Sequence, residues 1–305
     1  MAINDKRLEV TEFDFDDVKD NLKTFLKAQD EFTDYDFEGS GMSVLLDVLA
    51  YNTHYLGFNA NMLANEMFLD SASLRSSIVS HSKTLGYVPS SARAAKATVD
   101  VTLNTNDSTA TMPAGTVFNT TVDDVSFQFS TIQSFTKSNT GNSIPFVGVD
   151  IFEGTFITTR YTVDTSDIDQ RFLLTDNRAD TSTLIVKVQT SSTDSTSTTF
   201  TEATDITQVT AGSNVFFLQE VEAGLFEVYF GDGVIGTALS DDNIVILTYV
   251  VSNKTAANGA TLFTNASTIA SVTDISVVTA ATASAGSEPE SLSSIKYNAP
   301  LDFAS

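Results

Sequence analysis

Six consecutive residues, Gly231-Asp232-Gly233-Val234-Ile235-Gly236, have the spacing of a phosphate-binding loop. In a G-x-G-x-x-G loop the glycines let backbone N–H groups close on a pyrophosphate, and this one follows a predicted strand, Phe226–Phe230. Dinucleotide binding also needs a helix next, because the helix N-terminus holds the phosphate charge. Here Thr237–Asn243 is short and polar, and Ile244–Val251 reads as another strand. The segment is therefore expected to be a hairpin turn, with Asp232-Gly233 making the tight bend and no ligand bound. Asp164, Asp167 and Asp169 offer hard oxygen ligands for calcium, but neither the central glycine nor the distal glutamate of an EF-hand loop accompanies them. They read as a solvated acidic loop. His54 and His81 have no carboxylate or imidazole companions at ligand spacing, so each reads as a surface or hydrogen-bonded histidine on a helix. Neither a G-x-S-x-G elbow nor a P-loop occurs. The expectation is no catalytic residue, no cofactor-binding residue, no metal ligand and no small-molecule substrate, hence no enzyme.

Composition narrows the class further. The chain has 305 residues, a prior of two domains. With 39 acids against 16 bases its net charge is −23, which repels phosphate and acidic lipid, so neither nucleic acid nor a membrane is an expected partner. The absence of cysteine excludes disulfides, thiolate zinc sites, iron–sulfur clusters and a cysteine nucleophile. Met-Ala-Ile-Asn-Asp-Lys-Arg at the start lacks the apolar core of a signal peptide. Apolar runs such as Val44–Leu46 and Ile244–Leu247 fall far short of the roughly 20 residues a membrane helix requires. A soluble, acidic, globular protein is expected.

Charge and patterning divide the chain into a helical module over 1–97, a β-rich region over 98–285, possibly of two submodules, and the incomplete start of a further domain over 286–305. Residues 1–40 carry net −7, residues 41–97 net +1, and residues 98–305 net −17. Asp14 is an N-cap candidate for a first helix whose apolar face is Phe15, Val18, Leu22, Phe25 and Leu26. Residues 40–69 predict a long helix. Met42, Leu46, Leu49, Thr53, Leu56, Ala60, Leu63 and Met67 step by alternating fours and threes. A second stripe of Val44, Val48, Tyr51, Tyr55, Phe58 and Met62 lies about 160° around the helix. Between them Ser43, Ala50, Gly57 and Ala64 form a small-residue strip that admits a neighbouring backbone. A helix with two apolar faces must be buried between partners. Two arrangements meet that need: a self-contained three-helix bundle, or contact with other chains. If the strip faces a partner, Ala50→Leu should leave a folded chain that fails to assemble, whereas Asp at Leu49 or Tyr51 should harm folding itself. A third helix is predicted from Asp70 or Ser71 to Leu85, ended by Gly86 and Pro89.

From Thr98 the chain reads as short strands: Thr98–Leu103, Val125–Phe129, Thr155–Val163, Leu184–Gln189, Asn214–Val221, Phe226–Phe230 and Ile244–Val251. Met112-Pro113-Ala114-Gly115 is turn chemistry. Thr190–Thr201 is expected to be a loop and Ala280–Gly286 a connector. Ser287-Glu288-Pro289-Glu290 looks like a capping box that starts a helix near 288. The fold class is α+β.

The segment from Phe37 to Tyr55, FEGSGMSVLLDVLAYNTHY, strongly resembles the inner baseplate wedge proteins of T-even-like contractile-tailed phages, within the baseplate J-like group. Asn59–Ala72 and Leu85–Ala94 continue the likeness, and Pro113–Thr116, Phe230–Gly236 and Ser294–Pro300 extend it more loosely. The family's members look longer than this chain, which matches their N-terminal half. The resemblance implies a structural virion protein of the tail baseplate, present in the host cytoplasm during assembly. Its implied partners are a second copy of itself, other baseplate wedge proteins and tail hub neighbours, joined through a helical bundle that rearranges to trigger sheath contraction. No cofactor is implied. The interface candidates are Ser43, Leu46, Leu49, Ala50, Tyr51, Tyr55, Leu56, Gly57, Leu63 and Ala64. The rival from another class is a secreted β-rich adhesin or carbohydrate-binding module, favoured by acidity and Ser/Thr/Asp-rich strands, and weakened by the lack of tryptophan.

Overall fold

The computed structural model describes residues 14–28 and 40–304, and its class is α+β. Two units emerge, one of Met1–Tyr87 with Leu292–Ser305 and one of Val88–Ser291. Phe37–Gly39, which open the family-like segment, and the acids of 1–13 and 29–39 lie outside the described residues.

The helical unit holds α1 (Phe15–Lys27), α2 (Gly41–Glu66), α3 (Arg75–Thr84) and α4 (Leu292–Phe303). Asp14 occupies the N-cap of α1 without a side-chain capping bond, and Asp16 and Asp17 sit in the first turn, where the helix dipole favours anions. Ser40 caps α2, its side chain accepting from Ser43 N at 3.0 Å. Gly57 does not break α2, whose 26 residues span about 39 Å.

The turn after α2 is built by Glu66. Its carboxylate accepts from Ser73 N at 2.8 Å, Ser73 Oγ at 2.7 Å and Leu74 N at 3.3 Å. These donors precede α3, so α3 starts at Arg75 rather than at Asp70 or Ser71 as predicted. Glu66 O meanwhile takes the His81 ring Nε2–H at 2.9 Å, making His81 a hydrogen-bonded structural residue. Burial alone would raise the Glu66 carboxyl, but bonds from Ser73, Ser77 and Leu74 outweigh it and hold the pKa at about 2. A depressed carboxylate stabilises the fold above its ordinary value of 4.5, and that contribution disappears as pH falls towards 2. Glu66→Gln is therefore expected to flatten this acid window, and Glu66→Ala to cost about 1 kcal/mol at neutral pH. Melting curves between pH 2 and 7 check both; a Gln variant with the wild-type pH profile would remove Glu66 from this role.

The third core of the chain joins α3 to α4 through Ala72, Ile78 and Ile295, with Leu69, Tyr87 and Leu292 around them. Lys296 Nζ donates to Asp70 O at 3.0 Å. The predicted helix start near 288 is displaced: α4 begins at Leu292, because Ser287 pairs with Arg93 and Glu290 N donates to Ser90 O. Those bonds keep the proposed capping box extended, inside the β unit. Residues 88–95 lie in that unit too, and Ala94 N donates to the buried Asp180 Oδ2 at 2.8 Å.

The β unit contains two large sheets. The first, ordered β14-β3-β4-β6-β1-β15, uses β1 (Lys96–Asn104), β3 (Val117–Val122), β4 (Val125–Ser130), β6 (Ser143–Glu153), β14 (Thr264–Asn265) and β15 (Ile275–Ser284). Strand β1 alternates buried and outward residues, so Val99, Val101 and Leu103 meet Phe118, Phe129, Ile144 and Phe146 in one core. A small ribbon pairs β2 (Thr109–Met112) with β5 (Phe135–Ser138). The second sheet is ordered β7-β13-β9-β10-β11-β12-β8, from β7 (Thr155–Thr162), β8 (Phe172–Leu173), β9 (Ala179–Gln189), β10 (Ser197–Glu202), β11 (Val215–Glu220), β12 (Phe226–Phe230) and β13 (Ile244–Val251). Its ends approach each other: Tyr161 of β7 donates through its hydroxyl to Leu173 O of β8 at 2.7 Å, and its ring meets Phe172. This near-closure encloses Val186, Phe200, Leu218, Val228, Leu247 and Tyr249.

Three sequence expectations change here. Thr190–Thr201 is not all loop, since β10 pairs with β9 antiparallel and β11 parallel. Ala280–Gly286 is not a connector, because β15 runs to Ser284 along β1. Finally, β12 and β13 are not a hairpin: β11, β10 and β9 separate them within the sheet.

Candidate protein-interaction site

α2 is nearly free of charge. Across its 26 residues only Asp47 and Glu66 are acidic, none is Lys or Arg, and no proline interrupts it. One face is covered within the chain. Ser43, Leu46 and Ala50 are buried, α1 packs on α2, and Lys19 Nζ reaches Asp47 Oδ1 at 2.5 Å on the same side. Most of the rest is open. Leu49, Tyr51, Tyr55, Leu56 and Leu63 are exposed, Tyr51 at 63% and Leu63 at 69%, while Gly57 and Ala64 are half-buried. The whole second stripe, Val44, Val48, Tyr51, Tyr55, Phe58 and Met62, faces water. Tyr51 and Tyr55, one turn apart, stack with ring centroids 6.3 Å apart, which fixes both rings as one apolar plate. Met67 and Phe68 continue the exposed surface beyond the helix end.

Of the ten interface candidates, then, three are occupied by packing inside the chain, two are partly covered and five are open. This changes what two substitutions should do. Ala50 is 0% exposed, so Ala50→Leu is now expected to overpack the covered face of α2, costing about 1–3 kcal/mol in the isolated chain. Thermal melting of the variant checks this; an unchanged melting point would mean the covered face accommodates the extra atoms. Conversely, Leu49 and Tyr51 are exposed, so a charge there does not threaten folding of the chain by itself.

Sequence reasoning missed the α4 surface, where Tyr297, Leu301 and Phe303 are exposed. The available signal was the apolar spacing 297, 301, 303 in a helix with Pro300 inside it.

The other candidate chemistry resolves locally. Gly231–Gly236 is a self-bonded turn: Asp232 Oδ1 accepts from Val234 N at 2.8 Å and Ile235 N at 3.0 Å, and Gly233 N donates to Gly236 O at 3.1 Å. The N–H groups of Ile235 and Val234 hold the Asp232 carboxyl below its usual range. A side chain at Gly231 would meet Ile235 O at 2.1 Å, so this glycine serves a close approach of backbone to backbone. Strand β13, not a helix, is the next regular strand or helix. In the acidic loop, Asp164 Oδ1 accepts from Ser166 N and Oγ at 2.9 and 2.6 Å. Among the described residues no group of three His, Asp or Glu side chains is placed to hold a metal, and no helix is long and apolar enough to cross a membrane.

Residues 14–87 match the family described as baseplate wedge protein gp6-like, helical domain. The chain is similar to baseplate wedge protein gp6 of Enterobacteria phage T4, 28% identical over 283 residues, covering 86% of this chain and 42% of that one. The chain thus spans less than half the length of this relative. A cryo-EM structure of the anti-feeding prophage baseplate aligns over 95% of this chain and 52% of that one, at 12% identity and a TM-score of 0.30, a likeness too distant to carry weight. α1, α2 and α3 lie inside the span that matches the gp6-like helical domain, and the similarity to the T4 protein reaches well past that span.

Proposed function

We propose that this chain is a structural, non-catalytic component of a phage tail baseplate wedge, and that α2 joins a bundle of helices from several chains. The carrying observation is the exposure of the whole second stripe of α2, and of Leu49, Leu56 and Leu63 in the first, within a span that matches gp6-like wedge proteins. Contiguous apolar surface of this kind is costly to leave in water, and each Leu, Val or Phe buried by a partner gains about 1.5–3 kcal/mol. The partners in this reading are a second copy of the chain, other wedge proteins and neighbours at the tail hub, in the virion after assembly in the host cytoplasm. Leu49, Tyr51, Tyr55, Leu56 and Leu63 form the contact, with the half-buried Gly57 and Ala64 letting a partner backbone approach. The helical unit of Met1–Tyr87 with Leu292–Ser305 carries the assembly contacts in this reading, and Val88–Ser291 forms the β-rich body. The bundle takes part in the rearrangement that triggers sheath contraction. Co-purification of the chain with tail particles tests the reading. Recovery in the baseplate fraction is expected; a chain found free of particles would refute it.

A further inference from the structure

The acidic loop after β7 has a feature unrelated to metal binding. Ile168 is 93% exposed at its tip, between Asp167 and Asp169. The loop is braced rather than slack, since Thr165 N donates to Asp241 Oδ1 at 3.0 Å and Gln170 Nε2 to Thr162 O at 3.0 Å. An apolar knob between two carboxylates is thus presented in a fixed conformation.

Its chemical complement lies on the same unit. The outer face of β7, β13 and β9 floors a groove of about 400 Å³. Phe156, Ile185 and Ile246 give it an apolar floor, and Arg160 and Lys187 stand on either side, both being cross-strand partners of Ile246. No acid lines the groove, although the β unit as a whole is strongly acidic. Among the described residues neither cation is in an ion pair; Arg160 Nη1 makes only a long bond of 3.4 Å to Gln189 Oε1. Four other cations of this unit, Lys96, Arg171, Arg178 and Lys254, do have carboxylate partners.

We propose that a second copy of this chain seats Asp167-Ile168-Asp169 in this groove, Ile168 on the apolar floor and the carboxylates against Arg160 and Lys187. The contact joins different surfaces of the two copies, so it is head-to-tail and propagates around a ring or along a filament. Two copies at −23 repel at long range, but at physiological ionic strength the field is screened within about 8 Å, and contact pairs outlast it. The inference goes beyond the wedge reading and does not depend on it.

The lack of native cysteine makes the test direct. Copies of the 305-residue chain carrying Ser166→Cys in the loop are mixed with copies carrying Ser197→Cys at the groove wall, then mildly oxidised. Mixed disulfide dimers are expected to exceed those formed with the exposed control Ser108→Cys. Arg160→Glu with Lys187→Glu in the groove copy should lower the mixed dimer on the order of tenfold, and Asp167→Lys with Asp169→Lys in the loop copy should restore it. Mixed dimer no greater than the control, or unmoved by charge reversal, overturns the proposal, as does a groove cysteine that links only to some other protein.

Discussion

Gly154→Ala is expected to unfold the β unit or leave it severely weakened. Strand β6 ends at Glu153 in the first sheet and β7 begins at Thr155 in the second, so Gly154 is the corner where the chain changes sheets. Its φ is +120°, and an added Cβ would lie 2.1 Å from Val251 O and 3.0 Å from Ser252 Cα. Both obstacles are backbone and cannot rotate away. The same corner is tied by the buried Glu153, whose carboxylate accepts from Asn253 N and Nδ2, each at 2.8 Å, while its N–H donates to Ala95 O. Burial pushes the Glu153 carboxyl up, against the Asn253 bonds that favour its charge. Strain and clash together should cost at least about 3 kcal/mol, a large part of a typical 5–15. Gly141 is the control: its φ is +95° but nothing lies within 4 Å, so Gly141→Ala should cost only about 1 kcal/mol. Urea denaturation of both variants distinguishes them, and equal midpoints would show that the corner tolerates a side chain.

The second large effect should appear in assembly alone. Tyr51→Asp combined with Leu56→Asp places two charges on the open faces of α2. In the isolated chain both sites face water, so stability should move by no more than about 0.5 kcal/mol for each. In a bundle each charge would be buried without a partner, and together they should cost at least about 4 kcal/mol, roughly a thousandfold in affinity. Co-expression pull-down with wedge proteins, beside thermal melting, reads the two effects separately. A variant that assembles as well as wild type would move the interface off these faces.

The long helix was legible because its apolar residues repeat over 26 positions with almost no charge to interrupt them. Strands such as β12 and β13 matched their predicted ends because Phe226–Phe230 and Ile244–Val251 concentrate aromatic and β-branched residues. Strand β10 escaped because Phe200 is its one buried side chain; the ladders to β9 and β11 hold it, not an apolar period. Strand β15 escaped for a related reason: its second half, from Thr279 to Ser284, is all Thr, Ala and Ser, and Ala283 is its one fully buried side chain. Pairing partners were less legible still. Nothing local in residues 231–243 says that β13 will add beside β9 rather than beside β12, since that choice belongs to the closure of the whole sheet. On α2 the two stripes were visible, but which face α1 would take was not. Small residues at 43 and 50 suit close approach by any helix, and Lys19 with Asp47 helps place the chain's own helix there.

The most direct measurement is the structure of the assembled tail particle at side-chain resolution. Tyr51, Leu56 and Leu63, open in the chain alone, should be covered there by helices of neighbouring chains, while Ala50 stays buried within its own chain. Finding those three side chains in contact with solvent inside the particle, or the chain missing from the baseplate, would contradict the account.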